Sequence, residues 1–223
     1  MQAFNNNPSI KEKYLTRVQE HYKADEIIQG QYWENGKGCA VGCTIHSGNH
    51  ENYELELGIP KVMAYLQDTI FEKLPNELAK EFPIQFLSSI NVGADLKNVK
   101  NLFMIWLLTD SKYGVLQYAD NKKIVQDIAD AFSRDMVNTV LVEEWKELKY
   151  NATAAAYSDS KYDVYSSYSA AFHAAAYAAA YADSSYYADY SYYAAGAYFV
   201  KNSKSEWYIG ASKELIELLK EAN

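Results

Sequence analysis

The feature that most constrains this chain is a run of 81 residues, 115–195, that contains neither glycine nor proline. Its later part is strongly biased, because residues 151–200 hold 17 alanines, eight serines and 12 tyrosines. Alanine is the strongest helix former, and helices faced with alanine and serine approach one another closely. The composition therefore predicts a helical tract, and its aromatic content argues against disorder.

The length of this tract limits its shape. A single helix over residues 151–200 would be about 75 Å long, which is more than a compact domain of this size holds. We therefore expect either a helical hairpin, broken near Asp183 to Ser185, or an extended arm. Both forms present rows of alanine, serine and tyrosine side chains, so we expect the protein to form a homo-oligomer.

The rest of the chain is predicted to be helical from the spacing of its apolar residues. The first expected helix runs from its cap, Ser9, to Tyr22, and the second covers 62–71 after Pro60. Two short helices are expected over 76–81 and 84–90, followed by an apolar helix capped by Asp95. The last two are expected through 120–150 and, capped by Ser205, over 206–221. No segment alternates polar and apolar residues, so strands are expected to be few or absent. The sequence predicts an all-α fold with a compact multi-helix N-terminal domain over 1–148, the Ala/Tyr-rich segment over 149–200 and a short C-terminal helix within 201–223.

Charge and hydropathy exclude several classes of partner. The net charge is −8 and the chain has only two arginines, whereas nucleic-acid binding needs clustered cations. Residues 1–8 lack the apolar stretch of a secretory signal, and the longest apolar run, 102–108, is far shorter than the roughly 20 residues of a membrane span. We expect a cytoplasmic protein with free thiols and with neither a nucleic-acid nor a membrane partner.

The segment 36–60 concentrates the residues that carry chemistry. Cys39, Cys43, His46 and His50 form the pattern C-x3-C-x2-H-x3-H, whose side chains are of the types that bind zinc. Four ligands within twelve residues would have to fold back very tightly, so we expect no metal and no other cofactor. The simplest interpretation is a helix over 38–46 in which the two cysteines and His46 share a packed face.

Two chemical alternatives stay open for the same segment. A cysteine at a glycine-rich helix start would have a lowered thiol pKa, with His46 or His50 as its base, although nothing identifies a third, orienting group. The turn Gly36-Lys37-Gly38 would present backbone N–H groups to an anion such as phosphate. His21 is interpreted as a residue of the polar face of the first helix, without a role.

The run GKGCAVGCTIH at 36–46, followed by His50, Tyr53, Glu54 and LGIP at 57–60, resembles the hallmark of a family of uncharacterised phage and prophage proteins. IFE at 70–72, LPN at 74–76, GADL at 93–96, the Ala/Ser/aromatic tract and a closing helix around 213–218 agree with it. The resemblance covers most of the chain but brings no activity or catalytic residue. It implies a protein made in the cytoplasm of an infected bacterium, where small phage proteins disarm host defence.

These observations predict a non-catalytic binding protein that captures a host defence protein or a small nucleotide signal. Tyrosines would stack on bases, and the Gly-Lys-Gly turn would meet phosphate. The candidate contact residues are Tyr32, Trp33, Lys37, Gly38, Cys39, Cys43, His46, His50, Tyr53 and Glu54. The alternatives are an oligomeric structural scaffold built on the tract, and an enzyme or zinc protein that uses the Cys/His set.

Overall fold

The structure, a computed structural model, describes residues 1–119, 121–158 and 204–223. Within these ranges the fold is all-α, as the sequence predicts, and β-structure is limited to a sheet of two short strands. The helices are α1 Pro8–Lys23, α2 Ala40–Ile45, α3 Asn52–Leu57, α4 Lys61–Phe71, α5 Asn76–Ser89, α6 Val99–Thr109, α7 Lys122–Asp135, α8 Val142–Ser158 and α9 Lys204–Glu221. The strands are β1 Trp33–Glu34 and β2 Lys37–Gly38, and 3₁₀ helices cover Ala3–Asn6 and Val115–Tyr118.

The chain divides into two units at positions that differ from the expected domain limits of 148 and 200. The first unit combines Met1–Lys100 with Tyr208–Asn223, and the second spans Asn101–Trp207. From Tyr208 onward the final helix belongs to the first unit, where Leu215 and Leu219 are buried and the Asp95 N–H donates to the carbonyl of Asn223 at 3.0 Å. The C-terminal helix, expected as a separate segment, therefore contributes to the core of this unit.

The short helix α2 lies at the centre of the first unit, where it contacts α1, α3, α4 and α5. All six of its residues are buried. A six-residue helix has little stability of its own, so these tertiary contacts maintain it. The 36–60 segment of the sequence is thus part of the core of this unit.

Helix α1 begins one residue before the cap predicted from the sequence. The side chain of Asn7 caps it by accepting the Ser9 N–H at 3.0 Å, and Pro8 occupies the first turn, where its missing N–H costs nothing. Of the expected apolar face, Tyr14 and Val18 are buried whereas Tyr22 is exposed.

Helix α5 replaces the two short helices that were predicted on either side of Pro83. The proline lies inside one continuous helix and is buried. A proline inside a helix removes one backbone hydrogen bond. The apolar face formed by Ala79, Phe82, Phe86 and Leu87 continues across it, and the burial of this face outweighs the lost bond.

The helix predicted through 120–150 is two helices, α7 and α8, because the chain reverses after Asp135. Asn138 adopts a left-handed backbone with φ 56°, and the Thr139 hydroxyl donates to the carbonyl of Arg134 at 2.8 Å. Asparagine tolerates this conformation better than most residues. The two helices pack on each other, with ring centroids of Phe132 and Trp145 4.9 Å apart.

Two other predicted caps have different roles. The Asp95 carboxylate accepts the Lys97 N–H at 3.0 Å in a turn that precedes α6, which begins only at Val99. Helix α9 begins at Lys204, so Ser205 lies in its first turn. The predicted helix after Pro60 is confirmed as α4.

Helix α8 extends into the Ala/Tyr-rich tract as far as Ser158. The expectations of a hairpin near Asp183 to Ser185, of an arm and of self-association fall mainly on residues 159–203, which lie outside the described residues. In the ranges that the structure describes, no helix has the length and apolar character that a membrane crossing requires.

Candidate functional site

The Gly36-Lys37-Gly38 turn forms a β-hairpin. Strands β1 and β2 pair antiparallel, with Trp33 opposite Gly38, across the two-residue loop Asn35-Gly36. Both loop residues have positive φ, 53° and 82°, as this tightest hairpin turn requires. Lys37 is exposed on the second strand. The hairpin therefore explains why asparagine and glycine stand at the turn.

The backbone N–H groups around this hairpin already have acceptors within the protein. Gly38 donates to the carbonyl of Glu26 at 3.1 Å, and Cys39 donates to the carbonyls of Gln31 at 2.7 Å and Tyr32 at 3.1 Å. Gly42 donates to the Sγ of Cys39, 3.3 Å away, which caps α2. Of the anion cradle expected at Gly36-Lys37-Gly38, the N–H of Gly38 is thus already occupied, which weakens the support for an anion site.

Two glycines of the motif allow the backbone of Tyr32 to approach α2. A Cβ at Gly38 or at Gly42 would overlap the carbonyl oxygen of Tyr32. Only glycine leaves enough space at these positions. The spacing of the two glycines is thus a requirement of close packing, and it fixes the backbone of Tyr32.

The ring of Tyr32 is held by His50 but remains largely open to solvent. Tyr32 is 64% exposed, and its ring meets the His50 ring edge-on with centroids 5.7 Å apart. His50 is buried, its Nε2 lies 3.2 Å from the Asp68 carboxylate, and it stacks on Tyr65 at 4.9 Å. These buried partners fix one edge of an exposed aromatic ring.

Both cysteines are free and buried, and their acidity is the reverse of the expectation. Burial raises the pKa of the Cys39 thiol, and the nearby Asp68 carboxylate raises it further. Burial also raises the pKa of Cys43 to about 12. A nucleophilic cysteine needs an accessible thiolate, so the predicted lowering of the thiol pKa is wrong.

The four residues of the C-x3-C-x2-H-x3-H pattern do not converge on one point, although Cys39 and His50 both lie beside the Asp68 carboxylate. The cysteines begin and line the buried helix α2, His50 pairs with Asp68, and His46 lies exposed at the other end of α2. Among the described residues, no group of three or more histidine, cysteine, aspartate or glutamate side chains is arranged to hold a metal ion.

Tyr53 and Glu54 stabilise the fold from the interior and at a helix start. The fully buried Tyr53 hydroxyl lies 3.1 Å from the hydroxyl of Thr44 and 2.6 Å from Oε1 of Gln67, and burial raises its pKa. The Glu54 carboxylate accepts the N–H of Lys61, the first residue of α4, at 3.2 Å. Neither contact leaves these candidate residues facing a ligand.

A second cluster, which we call the histidine corner, consists of His21, Glu26, Trp33 and His46. His21 Nδ1 lies 2.6 Å from the Glu26 carboxylate, and His21 Nε2 lies 2.8 Å from His46 Nε2. The His46 ring stacks on Trp33 with centroids 4.6 Å apart and planes 10° apart. Four residues from α1, the following loop, β1 and the end of α2 thus meet at one place.

The carboxylate determines the proton positions in this chain of contacts. Glu26 only accepts, so His21 donates from Nδ1 and, when neutral, accepts at Nε2. His46 then donates from Nε2 and carries a lone pair on Nδ1. Partial burial and the neighbouring charges of Arg17 and His21 lower the pKa of His46, while Glu56 and Glu26 oppose this shift. His46 is therefore neutral at physiological pH.

The backbone of His46 is in the left-handed region, with φ 53° and ψ 41°, where it ends α2. A left-handed residue often ends a helix, and histidine is one of the residues enriched in this conformation. The conformation places the imidazole of an exposed residue against the ring of Trp33.

A groove of about 640 Å³ runs along α1 beside the histidine corner. This volume is within the range of small-molecule sites. Its charged and titratable lining residues are Glu12, Lys13, Arg17, Glu20, His21, Glu26 and His46. Three carboxylates thus face two permanent cations, and the groove has no excess of positive charge.

The sequence placed Trp33 and His46 among the candidates but missed His21, Glu26 and Arg17. His21 and Glu26 are five residues apart across the end of α1, a separation that matches no helical or metal-binding pattern. Their contact with His46 depends on the packing of α1 on α2. No local signal in the sequence reports this packing.

Comparison with known protein families, with curated proteins and with solved structures finds no match to this chain.

Proposed function

We propose that this protein is a binding protein that captures a host defence protein through a surface centred on Tyr32. The observation that carries the proposal is the placement of Tyr32, whose backbone is fixed by Gly38 and Gly42 while its ring is 64% exposed. The phage origin, the bacterial cytoplasm and the counter-defence role rest on the resemblance of the 36–46 motif to phage and prophage proteins.

An exposed tyrosine on a fixed backbone suits recognition for two reasons. Tyrosine offers a large contact area and a hydroxyl group at a small entropic cost, and such residues dominate the energetics of many interfaces. A backbone that is already ordered before binding loses less entropy when the partner arrives. Gly38, Gly42, Cys39 and His50 all contact Tyr32. Binding of a partner by Tyr32 would therefore explain why these residues occur together.

The geometry favours a protein partner over the nucleotide signal that the sequence also allowed. Phosphate groups need free N–H donors or clustered cations. The N–H groups of Gly38, Cys39 and Gly42 are already used, and the adjacent groove is not cationic. Protein surfaces, in contrast, pair well with an aromatic anchor that is bordered by charges of both signs.

The test is to express the chain beside a panel of bacterial defence systems, challenge the cells with phage, and identify the system that is silenced. We expect the Tyr32→Ala variant to lose silencing, and the purified wild-type protein to bind a protein component of that system. The matched control is Tyr150→Ala, because Tyr150 is a 72% exposed tyrosine on α8, in the second unit.

Each outcome tests a different part of the proposal. If no system is silenced, the counter-defence role is wrong. If Tyr32→Ala silences as well as the wild type, Tyr32 is not the anchor. If heat releases a nucleotide from the purified protein and the protein lowers the free concentration of that nucleotide, the partner is the small signal instead.

A further inference from the structure

The histidine corner has the order of groups that activates a nucleophile. In such sites a nucleophile is hydrogen-bonded to a base, and a third group orients the base. Here His46 is hydrogen-bonded to His21 at 2.8 Å, and Glu26 holds His21 at 2.6 Å. None of these contacts involves Tyr32 or the cysteines.

We propose that His46 is the nucleophile of an acyl-transfer site whose substrates are activated carboxylic esters, with His21 as base and Glu26 as its positioning residue. This activity goes beyond the proposed binding function and does not depend on it.

The reactive atom is Nδ1 of His46. Among the described residues the polar contact of the His46 ring is made by Nε2, with His21, and Nδ1 makes no hydrogen bond; His46 is exposed beside the groove. The stack on Trp33 and the fixed left-handed backbone restrict the ring to one orientation. A preoriented nucleophile loses little entropy when a substrate enters.

The reaction balances with water as the only co-reactant. His46 Nδ1 forms a bond to the ester carbonyl carbon, and its Nε2 proton passes to Nε2 of His21, whose positive charge Glu26 stabilises. The tetrahedral intermediate collapses, the bond to the leaving alkoxide breaks, and the proton on His21 neutralises the alkoxide as an alcohol. Water then hydrolyses the acyl-imidazole to a carboxylic acid and free His46.

The charges around the groove favour an uncharged ester over a phosphate. Glu12, Glu20 and Glu26 outnumber Lys13 and Arg17, so an anionic substrate would gain little from entering. Arg17 lines the same groove and acts on the pKa of His46, while its guanidinium donates to the carbonyl of Thr44 at 2.9 Å. Its positive charge favours the negative charge that develops in the tetrahedral intermediate.

The probe is p-nitrophenyl acetate, with release of p-nitrophenolate compared against the same concentration of free imidazole. We expect the protein to be faster by at least about tenfold, and His46→Asn to lose that excess. Asparagine tolerates the left-handed backbone, so this variant keeps the fold. His173→Asn, which removes a histidine outside the described residues, is the matched control and retains the full rate.

The pH profile distinguishes a role of Glu26 in positioning His21 from a role in stabilising the fold alone. The groups that act on the His46 pKa are Arg17, His21, Glu26 and Glu56. The rate rises as His46 loses its proton, with a midpoint below the ordinary 6.5. Because Glu26 raises the pKa of His46, Glu26→Gln shifts this midpoint further down and lowers the plateau about tenfold.

A second measurement identifies the acylated atom without any variant. The wild-type protein is quenched in acid during turnover, and its peptides are mapped for an acetyl group, which we expect on His46. The proposal is overturned if the protein is no faster than imidazole, if His46→Asn keeps the rate, or if the acetyl group is found only on other residues.

Discussion

The Cys39 N–H donates to the carbonyl oxygen of Tyr32 at 3.1 Å, and this bond joins the start of the buried helix α2 to an exposed aromatic residue. The same carbonyl lies against Gly38 and Gly42, where a side chain would overlap it. One backbone oxygen therefore explains three positions of the motif, and the stability of this contact can be tested directly.

The first prediction concerns Gly42. Replacing a helical glycine by alanine normally favours the helix by about 1 kcal/mol. At Gly42 the new Cβ overlaps the Tyr32 carbonyl, so we expect Gly42→Ala to lower the free energy of unfolding by roughly 1–3 kcal/mol. Urea denaturation measures the change. The control is Gly48→Ala, where the nearest contact is an ordinary 3.4 Å, and it stays within about 0.5 kcal/mol of the wild type. Equal values for the two variants would contradict the steric explanation.

The second prediction concerns the cap of α2. Cys39 Sγ accepts the Gly42 N–H at 3.3 Å, and serine is a better acceptor in the same position. We expect Cys39→Ser to exceed Cys39→Ala in stability by about 1 kcal/mol. Amide hydrogen exchange at Gly42 is expected to be faster in the alanine variant alone. If the Gly42 amide exchanges equally in both variants, the sulfur does not cap the helix.

The third prediction concerns the hydroxyl of Tyr53. It lies 3.1 Å from Thr44 and 2.6 Å from Gln67 in the core, where Nε2 of Gln67 has no partner. Tyr53→Phe leaves a second polar atom of Gln67 without a partner, so we expect a loss of about 1–3 kcal/mol in thermal or chemical unfolding. Tyr22→Phe, at an exposed tyrosine of α1, serves as the control and changes little. If Tyr53→Phe is as stable as the wild type, the hydrogen bonds of the Tyr53 hydroxyl do not stabilise the core.

The fourth prediction is a loss of stability at alkaline pH. The Cys43 thiol titrates near 9 in the unfolded chain and at about 12 in the folded protein, so between these values only the folded protein keeps the proton. The free energy of unfolding therefore falls as pH rises from about 9 to about 12. The burial of Tyr14, beside Glu56, raises its pKa to about 12 and adds to the fall above pH 10.

The contribution of Cys43 can be isolated by substitution. Each such group contributes a slope of up to about 1.4 kcal/mol per pH unit. We expect Cys43→Ala to reduce the slope between pH 9 and 10.5, whatever its effect at neutral pH. An unchanged slope in this variant would show that the thiol does not limit alkaline stability.

The helical class was predictable because periodic apolar residues determine which faces are buried. The boundary predicted at Pro60 was correct, whereas Pro83 does not end a helix and Asp95 and Ser205 are not helix caps. Pro83 is tolerated inside α5 because its neighbours are buried on both sides, and the reversal after Asp135 depends on Asn138 and Thr139, whose local bonds outweigh a continuous apolar period.

The candidate site was predictable in part. Trp33, His46 and His50 were candidates from their residue type and their place in or next to the 36–60 segment, and the structure brings Trp33 and His46 together in the histidine corner. The partners that give them chemistry, His21, Glu26 and Asp68, come from other elements and meet them only through tertiary packing. The two cysteines are the opposite case. Their residue type suggested a reactive thiolate, but burial raises the pKa of both thiols.

The first unit combines Met1–Lys100 with Tyr208–Asn223, and this discontinuity affects how the protein is made. At about 5–20 residues per second, a ribosome needs roughly ten seconds to synthesise the residues between the two segments. During that time the sites that later bury Leu215 and Leu219 have no partner, so the core of this unit closes only after nearly all of the chain has been translated. We expect the apolar surface of the growing chain to favour aggregation until the final helix packs.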